Sequence, residues 1–388
     1  MSLRTRDGLG GRAAVVGIGA TEFSKDSGRS ELSLAVEAVR AALDDAGLAP
    51  ADVDGMVTFT MDTNPEITVA QAAGIGELSF FSRVHYGGGA ACATVQQAAL
   101  AVATGVAEVV VCYRAFNERS GRRFGSGVQQ REPSAEGSAL GWQLPFGLLT
   151  PASWVAMIAQ RYLHTYGLTP DAFGHVAVTD RRHAARNPAA YFHGKPITLA
   201  DHAASRWIVE PLRLLDCCQE TDGGQAIIVT SVERARDLRR PPAVILAAAQ
   251  GAGRKQEAMT SFYRDELTGL PEMGVVARQL WRTSGLAPSE IDVGILYDHF
   301  TPFVLMQLEE FGFCGPGEAV DFVAADALPL NTHGGQLGEA YLHGMNGIAE
   351  AVRQLRGTSV NQIPGAERTL VTAGTGVPTS GLILGTDG

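Results

Sequence analysis

The stretch HYGGGAACATVQQAALAVATG, His85 to Gly105, sets a cysteine, Cys92, just after a glycine run and at the head of an Ala-rich helix. A thiol in that place invites attention, because the positive end of a helix stabilises the thiolate that acyl-transfer enzymes use as nucleophile. The other cysteines (Cys112, Cys217, Cys218 and Cys314) form no CxxC pair and no zinc-ligand spacing. An odd number of cysteines in apolar contexts reads as buried, reduced thiols in a cytoplasm. Lys25, Lys195 and Lys255 are the only lysines among 31 basic residues. All three lie in polar surroundings, whereas Schiff-base chemistry needs a lysine in an apolar setting. The nine histidines are scattered, and His333 and His343 flank a glycine loop instead of sitting one helical turn apart, so no metal site is expected. Gly17-Ile18-Gly19 hints at a dinucleotide loop, but Glu22 stands where the third glycine of that fingerprint belongs.

The elements that must carry these residues alternate between β and α. AAVVGIGATEF (13–23) is an apolar strand ending in a glycine turn. An amphipathic helix follows over about 31–45, with a stop at Gly47 and a turn into a second strand. The helix expected over about 91–104 leads into the strand AEVVVCYRA. Residues 117–200 are irregular, richer in Gly, Arg, Pro and aromatics, with helices near 154–166 and 170–186; they read as a long insertion over a core. From Ala243 the first plan returns. DDAGLAPADVDGMV and RTSGLAPSEIDVGIL match almost position for position, which predicts an internal duplication with halves at 1–240 and 241–388. Alternating β and α segments with apolar strands predict a layered α/β fold whose sheets are covered on both faces.

The chain has 388 residues, 45% hydrophobic and 19% charged, the composition of an ordinary globular enzyme large enough for two cores. A net charge of −10 argues against nucleic acid as a partner, since phosphate binding wants a basic face. No apolar run approaches the length of a membrane span, and MSLRTRDGLGG lacks the apolar core of a signal peptide, so a cytoplasmic location is expected.

The two halves with their GLxPxxID-type turns resemble the thiolase superfamily, in particular the sterol-carrier-type thiolases. The resemblance spans essentially the whole chain through VVGIGATEF, HVAVTDRRHAARNPAAYF, PLRLLDCCQETDGGQAIIV and YDHFTPFVLMQLEEFGFC. It implies a five-layer α-β-α-β-α arrangement of two duplicated halves and a homodimer, expected through the sheet edge near Cys112. In that family the spacing from the nucleophilic cysteine to the glycine ending its helix, here Gly105, puts the nucleophile at position 88, which is glycine. Cys92 then falls about one turn later, at a packing position. The family's Asn-Glu-Ala-Phe or His-Asp-Cys-Phe segment aligns with Tyr297-Asp298-His299-Phe300, and its Gly-His-Pro with Ala340-Tyr341-Leu342. Its Cys-x-Gly aligns with Val371-Thr372-Ala373. Both cysteines and the histidine of thiolase chemistry are therefore gone, and a phenol stands at each of two catalytic positions. A shifted gap would instead bring His343 to the histidine position. Two buried packing tyrosines are the plain alternative; two phenols together suit a thioester oxygen on which charge develops.

Within the superfamily the sequence is similar to the cysteine-less, thiolase-like aldolase subunits of actinobacterial steroid side-chain degradation. The resemblance implies a carbon–carbon lyase: retro-aldol cleavage of a β-hydroxyacyl-CoA to a ketone and a short acyl-CoA such as propionyl-CoA. Such cleavage needs a base and a stabilised enolate but no covalent nucleophile. Gly88 would vacate space for a bulky quaternary carbon. Tyr341 is assigned the proton transfer, with Tyr297 as its partner or oxyanion donor, and the backbone amides near Gly88 and Ala373 as further donors. Asp298, His299 and His343 are supporting residues, with His299 or His343 expected to lower the phenol pKa. Arg181 and Arg182 either meet CoA phosphates or form a solvated helix face. No cofactor is expected beyond the CoA of the substrate. The resemblance also implies a small OB-fold partner bearing a zinc ribbon. The alternatives are a non-catalytic acyl-CoA or sterol carrier and a true thiolase using Cys92.

Overall fold

The computed structural model describes residues 8–121, 123, 141–256, 262–374, 376 and 379–387. The first half runs β1 (Ala13–Ala20), α1 (Glu31–Ala46), β2 (Gly55–Phe59), α2 (Glu66–Ala73), β3 (Phe80–Val84), α3 (Ala91–Ala103) and β4 (Val109–Asn117). An excursion with α4 (Pro151–Tyr166), α5 (Gly174–Arg186) and the small hairpin β5 (Trp207–Val209) and β6 (Leu212–Arg213) then returns the chain to β7 (Asp222–Ser231). The second half holds β8 (Ala243–Gly251), α6 (Pro271–Ser284), β9 (Val293–Ile295), α7 (Thr301–Glu310), α8 (Met345–Arg356), β10 (Arg368–Ala373) and β11 (Thr379–Thr386).

The repeated turn phrase builds the same structure twice. Gly47 and Gly285 close α1 and α6, single 3₁₀ turns follow at Pro50–Asp52 and Pro288–Glu290, and the chain enters β2 and β9. Asp52 and Glu290 each reach back three residues to accept a backbone N–H, from Ala49 at 2.8 Å and Ala287 at 2.9 Å. This local hydrogen bonding explains why the phrase survives duplication.

Period-2 burial divides each strand between two cores. In β1, Ala13 and Val15 pack in the same core as α3 and α8, while Ala14 and Val16 pack with α1. In the second half Val371, Leu382 and Leu384 join that first core, while Leu370 and Ile383 pack with Met273, Val276 and Leu280 of α6. Helices α3 and α8 thus lie between the two sets of strands, with α1 and α6 outside, giving the expected α-β-α-β-α layers.

Two expectations need correction. The strands of the two halves are not separate sheets: they form one nine-stranded sheet, β3-β2-β4-β7-β1-β8-β11-β10-β9. The join is short, an antiparallel ladder pairing Ala14 with Val244 and Val15 with Ala243, about which the sheet folds around the central helices. Cys112 is also far from an edge. It sits on β4 between β2 and β7, fully buried toward the central layer, and the free edge of that half is β3. Within the segment read as an insertion, α5 packs against the single helical turn Gly335–Gly338 of the glycine loop.

Candidate active site

Tyr297 lies two residues beyond β9, and two bonds to neighbouring elements fix its backbone. Its N–H donates to Thr372 Oγ1 at 2.9 Å, and its carbonyl accepts from Gln307 Nε2 of α7 at 2.8 Å. The Thr372 hydroxyl donates in turn to Gln307 Oε1 at 2.5 Å, closing the ring. Tyr341 follows the Gly335–Gly338 turn and is clamped by Thr221, whose Oγ1 accepts the Tyr341 N–H at 2.8 Å and faces the Tyr341 carbonyl at 3.3 Å. These anchors bring the two phenols together, with hydroxyls 3.2 Å apart. That is loose for a hydroxyl pair, and a substrate oxygen accepting from either phenol can take its place. Tyr297 is 3% exposed, whereas Tyr341 is only partly buried and presents the accessible side.

Gly88 opens the 3₁₀ turn ahead of α3. A Cβ on residue 88 would stand 1.8 Å from the Tyr297 hydroxyl. The space expected to be vacant for a quaternary carbon is therefore filled: the phenol occupies the volume that a side chain on residue 88 would take. Ala373 ends β10 beside Thr372, so the Gly88 and Ala373 backbones both border the Tyr297 anchor.

Cys92 is the second residue of α3, wholly buried, with its thiol 3.7 Å from the Val371 carbonyl. Burial pushes the thiol pKa up, the reverse of what a thiolate nucleophile requires. The packing role expected for Cys92 agrees with this geometry.

The supporting residues divide. Asp298 is a positioning residue: its carboxylate accepts the Gln336 N–H at 2.8 Å and the Leu337 N–H at 3.0 Å, holding the turn that carries Tyr341. Gly335 permits this approach, since a Cβ there would meet Asp298 Oδ2 at 2.0 Å. Asp180 lies against Asp298, and burial with the neighbouring charge raises its pKa well above the carboxylate range. His343 packs edge-on against the Tyr341 ring, with centroids 5.2 Å apart. Its Nδ1 accepts from Arg114 Nε at 3.1 Å, its ring stacks on Phe116 at 5.0 Å, and the buried Arg114 is ion-paired with Asp62 at 2.9 Å. The guanidinium at Nδ1 places the ring proton on Nε2. His299 lies 4.7 Å from the Tyr297 ring.

The expected depression of a phenol pKa by these histidines is overturned. Burial drives the His299 pKa down to about 3 and the His343 pKa well below its usual value, so both rings are neutral. The same loss of hydration raises the pKa of Tyr297 and Tyr341 well above 10. Both shifts favour the protonated phenol, the form that can donate a hydrogen bond.

Arg181 and Arg182 are already engaged. Arg181 stacks on the Phe192 ring at 3.6 Å, and Arg182 makes a two-point contact with Asp326 at 2.7 and 3.0 Å. Neither is held out for a phosphate. Among the described residues no group of three His, Cys, Asp or Glu is arranged to hold a metal, and no helix is long and apolar enough to cross a membrane. Residues that sequence reasoning missed include Arg114, Phe116 and Glu118 from the end of β4, and Cys218 and Thr221 before β7.

The duplicated halves, the shared central helices and Tyr297 facing the position 88 turn define a thiolase-type architecture, and the chain belongs to the thiolase superfamily. Residues 253–386 match the family model described as thiolase C-terminal domain-like. At full length the chain is 68% identical to the steroid side-chain-cleaving aldolase of Thermomonospora curvata, covering 98% of this chain and 99% of that one. It is also 68% identical to the 17-hydroxy-3-oxo-4-pregnene-20-carboxyl-CoA lyase of Mycobacterium tuberculosis, covering 97% and 100%. The solved structure of an Ltp2-ChsH2(DUF35) aldolase superposes with a TM-score of 0.94 at 68% identity, over 98% of this chain and 99% of that chain.

Proposed function

We propose that this chain is a steroid side-chain aldolase, a lyase that cleaves a β-hydroxyacyl-CoA thioester by retro-aldol chemistry to a ketone and a shortened acyl-CoA. The observation that carries this reading is the pair of protonated phenols at Tyr297 and Tyr341, set where a thiolase nucleophile would need room. Breaking the bond to the α-carbon leaves charge shared with the thioester oxygen. A phenol that stays protonated donates to that oxygen and supplies the proton that the α-carbon must finally receive. Tyr341, on the accessible side, meets the substrate; Tyr297 backs it from the position 88 cavity. The thioester is its own electron sink, so a lysine imine or metal has no task in this scheme.

The true-thiolase alternative loses support because Cys92 is buried and residue 88 has no side chain. The assembly we propose is a core of two copies with a small OB-fold, zinc-ribbon protein. In a pairing through the sheet edge, β3 replaces the strand expected from the sequence. The test is incubation of the chain, with and without that partner, with a 17-hydroxy steroid β-hydroxyacyl-CoA. Ketone and shortened acyl-CoA in equal amounts support the aldolase. A tight complex without turnover supports the carrier.

A further inference from the structure

A retro-aldol cleavage also needs a base, and the two phenols are poor ones: an unperturbed phenol titrates near 10, and burial here raises both further. The β-hydroxyl proton must still go somewhere. The end of β4 and the residue after it point to its destination. Arg114 and Phe116 lie on one face of β4, and Glu118 is the first residue beyond the strand. Arg114 bonds to His343, and the Phe116 ring meets Tyr341 edge-on at 6.5 Å. Glu118 follows, 3% exposed, with its Oε2 lacking a hydrogen-bond partner among the described residues. Thr221, whose hydroxyl clamps the Tyr341 backbone, lies beside the Glu118 carboxyl, and its N–H favours the ionised form. The same residue thus borders the carboxyl and the backbone that carries the phenol.

We propose that Glu118 is the proton store behind the tyrosine pair. The inference rests on the retro-aldol reading. As the β-hydroxyl gives its proton to the Tyr341 oxygen, the Tyr341 proton passes to the Glu118 carboxylate. No direct hydrogen bond joins Tyr341 to the unpartnered Oε2, so the proposed relay includes a bridging water between them. The freed oxygen pair forms the ketone, the Cα–Cβ bond breaks, and its electrons become the thioester enolate. Tyr341, now carrying the substrate proton, protonates the α-carbon and recovers the proton held on Glu118, while Tyr297 donates to the thioester oxygen throughout. The substrate proton has moved from oxygen to carbon and the enzyme is unchanged. Through this relay Tyr341 accepts a proton without ever existing as a free phenolate.

The groups facing Glu118 suit this task. Loss of hydration is the chief influence and Glu220 adds repulsion, both raising its pKa well above the carboxylate range, against Arg114, Lys25 and the Thr221 N–H. Cys218 and the two tyrosines complete its surroundings, its charge acting on all three. Lys25, held by the Glu220 carbonyl at 2.6 Å, has its own pKa lowered to about 8 by burial.

The test compares wild type, Glu118→Gln and Glu118→Asp in the full chain with its partner. Glu118→Gln should lower kcat about 10²-fold with little change in KM, and remove the acidic limb of the pH profile. Glu118→Asp should restore part of kcat and the limb. Because the folded state holds Glu118 at a raised pKa, its ionised form opposes folding, so the melting temperature of Glu118→Gln at pH 8 should rise. In infrared difference spectra recorded on the acid side of that limb, where Glu118 is protonated, one carboxyl band should be missing in Glu118→Gln and the same band should shift in Tyr341→Phe. A Glu118→Gln enzyme with wild-type kcat and pH profile overturns the proposal while leaving the aldolase reading intact. Lower kcat with a lowered melting temperature and an unchanged profile makes Glu118 merely structural and also overturns it. If wild type itself yields no ketone, the aldolase reading fails, and a carboxyl band indifferent to Tyr341→Phe rejects the relay regardless of turnover.

Discussion

At the scale of single residues, the proposed chemistry concentrates on two hydroxyls. Tyr341→Phe keeps the ring and its edge contact with Phe116 and removes only the donor. Turnover should fall roughly 10²-fold or more, with little change in CoA-ester binding. Tyr297→Phe should do likewise, and near-normal kcat in both variants would remove the basis of the proposed function. Cys92→Ala gives the opposite contrast. With its thiol buried against α8 and β10, the change should leave kcat within a few-fold and cost about 1 kcal/mol in urea unfolding. Gly88→Ala sets the smallest side chain against the Tyr297 hydroxyl. Overpacking of this kind costs about 1–3 kcal/mol, and turnover should drop as far as in Tyr297→Phe because the phenol must swing away.

At the scale of elements, what the sequence made legible was what is written locally. The turn phrase at Gly47 and Gly285 carries its own hydrogen bonds within a few residues, so the duplication and its helix stops can be read directly. Tyr297 and Tyr341 were found by counting along a family template, and their anchors lie in that same frame. Glu118 was not legible. Its meaning depends on Thr221, 103 positions away if counted from the ends of that contact, which reaches Glu118 only when β4 and β7 pair. The neutral state of His299 and His343 was hidden for the same reason: hydration is lost through packing between distant segments. The turn bearing Tyr341 gives a further prediction. Asp180 is flanked by Asp298, Asn331 and Arg182, and its folded pKa is raised, so its contribution is complete below the unfolded value near 3.9 and is lost as pH rises through the folded one. Asp180→Asn keeps a donor for Asp298 without that titration. Its melting temperature should fall less between pH 6 and pH 9 than that of wild type; an equal fall would remove Asp180 as the source.

At the scale of the whole molecule, the sheet ladder between β1 and β8 and the central helices tie both halves into one body. The insertion presents Trp142 at 72% and Phe146 at 80% exposure, apolar surface that a partner protein would cover. The chain expressed alone should be poorly soluble or inactive, and co-expression with an OB-fold, zinc-ribbon protein should give a heterotetramer by light scattering. Full activity of the purified chain as a monomer would exclude that assembly.

The contact between position 88 and Tyr297 also has a history in it. One residue comes from each copy of the duplication, and only one of them can own the shared volume. From a cysteine-bearing ancestor, a tyrosine arriving at 297 in its present pose would have had no room until position 88 had lost its side chain. On the family spacing, a chain with its nucleophile at position 88 would have to lose it before, or together with, the gain of that tyrosine. The door is closed behind it: Gly88→Cys alone would place its new thiol against an occupied site, so a return to acyl transfer is barred to any single substitution at that position.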